Sequence, residues 1–168
     1  GVSSAASDVY KRQVRDLQPV TLMARTANVL AVRTGLPAKS LPELIDFAKK
    51  NPGKLSYGSF GNGTTAHFAG EMLKSAAGIF VVHIPYRGQG PALTDLLGGN
   101  IDMMFGNLPD FLPHIRSGKL QALGTTYLTR APLAPDIPTV AEQGFPGFET
   151  DSWYGIVAPA SMSRETVE

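Results

Sequence analysis

The residues best placed to do chemistry lie in one loop, Phe60-Gly61-Asn62-Gly63-Thr64. Gly61 and Gly63 let the backbone turn tightly. Thr64 and Thr65 stand where a helix begins. Free N–H groups in a helix's first turn carry positive potential and bind carboxylate or phosphate. The threonine hydroxyls would add donors. The same residues also make an ordinary N-cap and tight turn with no ligand. Gly61-Asn62-Gly63-Thr64-Thr65-Ala66 matches the dinucleotide fingerprint G-x-G-x-x-A. That fingerprint needs an acidic residue about 20 positions further on, at the end of the next strand. The residues there are Val81-Val82-His83, so a nucleotide-dependent oxidoreductase would lack its ribose ligand. Ser59-Phe60-Gly61 fits the second half of a nucleophile elbow, but Tyr57 stands where the first glycine belongs.

Other reactive side chains have plainer readings. His67 and Glu71, one helical turn apart, make an i,i+4 pair rather than a metal site. His83 reads as a half-buried, hydrogen-bonded imidazole and His114 as a surface residue. Arg87, in the loop Pro85 to Gly90, could meet an anion and reads first as solvated. Trp153 reads as packing, or as the wall of a cleft. No nucleophile–base pair assembles from spacing. The expectation is therefore no catalytic residue, no metal and no cofactor.

Alternating elements must position that loop. Asn28-Val29-Leu30-Ala31-Val32 predicts a buried strand. Ser40-Leu41-Pro42-Glu43 is a capping box that opens a helix, and Asn51-Pro52-Gly53 stops it. Strands are predicted over 55–59, 80–84, 101–105 and 120–125. Between them, Thr65 to Ala77 carries Ala69, Met72, Leu73 and Ala76 on one helical face. Pro91 to Leu97 and Pro109 to Ser117 predict shorter helices, the second distorted by Pro113. A short helix is expected from Thr139. A last strand, Tyr154 to Ala158, has no obvious partner. The alternation implies an α/β fold with βαβ units and a mainly parallel sheet. Ligands of such sheets bind beyond the carboxyl ends of the strands. There the loops are 60–64, 85–90, Gly106-Asn107-Leu108 and Thr125-Thr126-Tyr127, rich in neutral hydrogen-bonding groups.

Composition narrows the field. The chain has 168 residues, 43% of them hydrophobic and 17% charged, which is enough apolar material for a core. Fifteen Lys and Arg against fourteen Asp and Glu leave a net charge of +1, without the basic excess of a nucleic-acid binder. No apolar run reaches the roughly 18 residues of a membrane span. With no cysteine, disulfides and thiolate chemistry are excluded. Residues 1–13 read as a disordered or unrelated leader, and both ends read as cut.

At the strand-end loops the sequence resembles a family. Ser56-Tyr57-Gly58-Ser59-Phe60-Gly61-Asn62-Gly63-Thr64-Thr65-Ala66-His67 looks like the glycine-rich loop and helix of tripartite tricarboxylate transporter substrate-binding proteins, the Bug (TctC-like) family. His83-Ile84-Pro85-Tyr86-Arg87-Gly88, Ile101-Asp102-Met103-Met104-Phe105-Gly106-Asn107, Ile137-Pro138-Thr139-Val140-Ala141-Glu142 and Trp153-Tyr154-Gly155-Ile156-Val157-Ala158-Pro159 follow in family order.

The resemblance implies a periplasmic-binding-protein-like (Venus flytrap) fold in which one parallel-type βαβ lobe is largely complete and the other truncated. Residues 14–36 would be a remnant of lobe 1, 37–148 lobe 2, and 149–168 the return into lobe 1. It implies a periplasmic protein that captures a small organic acid (a di- or tricarboxylate, amino acid or aromatic acid). The acid would pass to membrane transporter subunits, with no nucleic-acid partner. By matching positions, the ligand-binding residues would be Ser59, Phe60, Gly61, Gly63, Thr64, Thr65 and His67, with Tyr86, Asn107, Asp151 and Trp153. Asn107, where relatives can carry Asp, would favour an anion without an amine. The lobes would close about crossings near Gly35-Leu36-Pro37 and Phe145-Pro146-Gly147. The alternative is an α/β enzyme, either the oxidoreductase or a serine hydrolase.

Overall fold

A computed structural model describes residues 15–163; the expected leader, residues 1–13, lies outside them. The described chain divides into two compact units, Thr26–Ser152 and the residues up to Arg25 together with those from Trp153.

The larger unit is built on a sheet in the order β3-β2-β4-β1-β5. Its strands are β1 (Leu17–Arg33), β2 (Ser56–Ser59), β3 (Val82–Pro85), β4 (Met103–Asn107) and β5 (Leu120–Thr125). β2 runs parallel to β3 and β4, whereas β1 pairs antiparallel with both β4 and β5. The sheet is therefore mixed, which corrects the mainly parallel expectation. Helix–strand alternation sets one direction for β2 to β5. It says nothing of β1, which precedes the alternation and inserts between β4 and β5.

Four helices cover both faces: α1 (Leu41–Lys50), α2 (Thr65–Ala77), α3 (Gln89–Gly98) and α4 (Leu108–Arg116). Successive β1 residues point to opposite faces. Leu30 and Val32 join Leu41 and Leu44 of α1 and Ala66, Ala69 and Leu73 of α2 in one core. Val29 and Ala31 join Ala92 and Leu96 of α3 and Phe111 of α4 in the other. Burial of these side chains, worth roughly 1.5–3 kcal/mol for each large one, holds the layers together. α2 seats closely because residue 70 is glycine: a Cβ there would meet the Tyr57 ring.

Two expected elements change. The helix from Thr139 is one 3-10 turn, Ala141–Gln143, opened by a reciprocal cap. In that cap the Glu142 N–H donates to Thr139 Oγ1 at 2.9 Å, and the Thr139 N–H to Glu142 Oε2 at 2.8 Å. The last strand, β6 (Asp151–Pro159), does have a partner, β1. In the smaller unit the Gln18 side chain ties these strands, donating to the carbonyls of Pro159 and Met162 at 3.0 and 2.9 Å.

Candidate functional site

The carboxyl ends of β2, β3, β4 and β5 share one edge of the larger unit. Antiparallel β1 enters there with Asn28 opposite Asn107. Asn28 shares the side of Leu30 and Val32, so it lies on the face that carries α2.

The loop from β2 to α2 is locked by its own hydroxyls. Ser59 is fully buried. Its Oγ accepts from the Gly61 N–H at 3.2 Å and lies 2.7 Å from His83 Nε2. Gly61 and Gly63 have φ of 133° and 80°, a region that suits glycine. Thr64 Oγ1 donates to the Gly61 carbonyl at 2.8 Å. Thr65 Oγ1 lies 3.1 Å from Ser152 Oγ, and Ser152 donates to Asn28 Oδ1 at 3.3 Å. Either hydroxyl can donate in the Thr65–Ser152 bond.

Both threonine hydroxyls thus have a partner within the protein. The backbone offers further donors. Thr64 is the N-cap of α2 and makes no side-chain cap bond, and no acidic residue sits in the first turn. Among the described residues the first-turn N–H groups of Thr65, Ala66 and His67 have no side-chain acceptor, Ala66 itself being fully buried, and such a helix start suits a carboxylate.

A ring stack backs the loop. His83 stacks between Tyr57 and His67 at centroid distances of 4.7 and 4.4 Å. His67 Nδ1 accepts from the Gly63 N–H at 3.1 Å. The expected His67–Glu71 bond does not form. Glu71 Oε1 instead accepts from the Tyr57 hydroxyl at 2.6 Å and from Lys74 Nζ at 2.7 Å. Burial pushes the Tyr57 hydroxyl up, as does the Glu71 carboxylate. Burial pushes Glu71 up, but the Lys74 and Tyr57 hydrogen bonds outweigh it and hold Glu71 below the usual range. Burial, then the charge of His67, holds His83 below its ordinary value. The Ser59–His83 pair is the nearest approach to hydrolase geometry. Yet Ser59 is sealed from solvent, and its hydroxyl is within bonding distance of both the N–H and the carbonyl of Gly61.

The remaining expected residues have partners of their own, and the Tyr86 N–H donates to the Ser59 carbonyl at 3.0 Å. Phe60 packs against both cores. Tyr86 turns its hydroxyl to Asp95 Oδ2 on α3 at 2.7 Å, and burial followed by that carboxylate pushes it up to about 12. The Asn107 N–H donates to Gln89 Oε1 at 2.9 Å. Asp151 is half-buried at the start of β6. Trp153, 68% exposed, belongs to the smaller unit, where it lines a groove with Pro19, Leu22 and Val157. Arg87 is exposed.

Sequence reasoning missed Asn28, Thr150 and Ser152. Thr126 Oγ1 accepts from the Asn28 N–H at 3.0 Å, and the Thr150 N–H donates to the Thr126 carbonyl at 3.1 Å. Asn28 Nδ2 and Thr150 Oγ1 are buried without a hydrogen-bond partner. Such groups cost about 1–3 kcal/mol each. Among the described residues no group of three metal-ligating side chains forms, and no helix is long and apolar enough to cross a membrane.

Residues 7–168 match the family described as "Tripartite tricarboxylate transporter family receptor". The chain belongs to that family. The match begins within residues 1–13, the stretch expected to be unrelated. Among tripartite tricarboxylate transporter family relatives, the chain is 37% identical to Protein BugT of Bordetella pertussis over 167 residues, 99% of this chain and 51% of that one. It is 41% identical over 155 residues to the "UPF0065 protein in tcbD-tcbE intergenic region" of Pseudomonas sp. (strain P51), covering 92% and 46%.

Three solved structures share the fold. "R. palustris Rpa4515 with adipate" gives a TM-score of 0.87 at 37% identity, covering 90% of this chain and 51% of that one. Periplasmic binding protein BugD gives 0.85 at 36%, covering 90% and 50%. MatC from Rhodopseudomonas palustris with bound malate gives 0.84 at 29%, covering 90% and 51%. The fold is thus that of the periplasmic binding proteins of this family, and the chain spans about half the length of the relatives it matches. These neighbours are binding proteins, and the comparisons do not favour an enzyme.

Proposed function

We propose that this chain forms part of a periplasmic solute-binding protein. In this reading the protein captures a small organic carboxylate and delivers it to a tripartite tricarboxylate-type membrane transporter. The observation that carries the reading is the uncapped start of α2 beyond the β2 strand end. Its backbone donors are held by a loop whose hydroxyls are already engaged. Family neighbours solved with adipate and malate support a carboxylate as the ligand class.

Binding needs no bond chemistry. The carboxylate is oriented by fixed backbone N–H groups, whose cost of ordering was met during folding. A Venus-flytrap closure follows if the closed state binds the ligand more tightly than the open one. A thermal-shift panel on the full-length gene product tests the reading. A dicarboxylate should raise Tm and NAD should not. Stabilisation by NAD with no response to any carboxylate would reject it.

A further inference from the structure

The loop ahead of α2 holds the chain's single Asn-Gly step, Asn62-Gly63. Both residues are exposed. Among the described residues no hydrogen bond holds the Asn62 carboxamide. Gly63 brings no side chain to the step, and nothing lies within 4 Å of where its Cβ would stand. The Gly63 N–H points at His67 Nδ1, 3.1 Å away. A ring nitrogen that accepts a hydrogen bond is unprotonated, so it can take a proton. A backbone nitrogen next to a carboxamide, with a base already on its proton, has the parts needed for ring closure.

We infer that Asn62-Gly63 is a site of spontaneous deamidation, that His67 is the base of the reaction, and that the product weakens carboxylate binding by the loop. The effect on binding rests on the carboxylate reading given above; the modification itself does not. The Gly63 nitrogen gives its proton to His67 Nδ1, and its electron pair forms a bond to Asn62 Cγ. The bond from Cγ to the carboxamide nitrogen breaks. That nitrogen takes the proton back from His67 and leaves as ammonia, and a succinimide ring remains. Water then opens the ring. Attack at Cγ gives aspartate, and attack at the backbone carbonyl gives isoaspartate. Either product puts a carboxylate just ahead of the first turn of α2, where it opposes the charge of the ligand. Isoaspartate also adds a carbon to the backbone inside the turn that the Thr64 N–H closes on the Gly61 carbonyl.

The test is incubation of the full-length gene product at neutral pH without ligand, with isoaspartate located by peptide mapping and enzymatic methylation. Wild type should accumulate aspartate and isoaspartate at position 62. Asn62→Ser has no carboxamide and should accumulate neither. His67→Gln keeps an acceptor for the Gly63 N–H in its amide oxygen but cannot take the proton. Its rate should fall by about tenfold or more, with folding checked by circular dichroism. If that variant fails to fold, His67→Ala should lose rate in the same way and recover it with added imidazole. Modified wild type should lose affinity for succinate, malate or adipate by about tenfold or more, whereas incubated Asn62→Ser keeps the affinity it began with. An unmodified position 62 after prolonged incubation overturns the site. An undiminished rate in a folded His67 variant overturns the role of the base. Full affinity in fully modified protein overturns the effect on binding. Fresh wild type that binds no carboxylate rejects the carboxylate reading and leaves the modification site standing.

Discussion

The starts of α1 and α2 use the same residue classes to opposite ends. At α1, Ser40 turns its lone pairs inward and accepts from the Glu43 N–H at 3.4 Å. Glu43 brings a negative charge into the first turn and accepts from the Lys39 N–H at 2.8 Å. That terminus is satisfied by its own sequence. At α2, Thr64 donates to the Gly61 carbonyl, Thr65 shares a hydrogen bond with Ser152, and no acid follows. What differs is where each hydroxyl finds its partner. A closed cap contributes stability, whereas an open one leaves backbone donors for a ligand.

The contrast can be broken by charge. Thr65→Glu places a carboxylate where the ligand's should sit, and like charges in contact cost several kcal/mol. Carboxylate affinity should fall by about a hundredfold or more in a titration, with Tm little changed because acids suit a first turn. Undiminished binding would place the ligand elsewhere. A gentler change is Thr65→Val, which keeps shape and removes the acceptor. We expect about a tenfold loss of affinity for the ligand without unfolding, read in the same titration. Unchanged affinity would remove Thr65 from the site.

The opposite result is expected at α1. Ser40→Ala should lower stability by about 1 kcal/mol in urea denaturation and leave affinity untouched. A loss of affinity there would erase the distinction between the two termini.

The smallest effect concerns pH. His83 lies below its ordinary value of 6.5 in the folded chain, so the unfolded chain takes up the proton more readily. Its contribution to stability is complete above that value and is lost as pH falls below it. Tm should decline from about pH 7 to about pH 5, and His83→Gln should flatten part of that decline. An identical slope in the variant would show that other groups carry it.

Local text carried much of this arrangement. Thr65–Ala77 and Leu120–Thr125 lie where periodicity and the flanking glycines put them, because one face of each must enter the core. β1 was legible only over its inner end. Its earlier residues, such as Leu22 and Met23, stay exposed, so no alternation marks them as strand. The strand-end loops were also readable, since Gly and Thr at a helix start announce donors. What sequence could not show is which distant partner each hydroxyl finds. Thr65 was read as a donor to an anion, and its hydroxyl meets Ser152, 87 residues away; Ser152 in turn meets Asn28 across 124 residues of sequence. The Tyr86 hydroxyl's partner was hidden for a similar reason, since its loop position says nothing of Asp95 waiting on α3.

The most direct measurement is amide NMR of the full-length gene product titrated with dicarboxylates, malate among them. A bound carboxylate should move the N–H resonances of Thr65, Ala66 and His67 downfield, as new charge-assisted hydrogen bonds form. Those of Leu41 and Glu43 in the capped first turn of α1 should stay still. Saturable binding that leaves the three α2 amides unmoved, or that shifts both termini alike, would contradict the account.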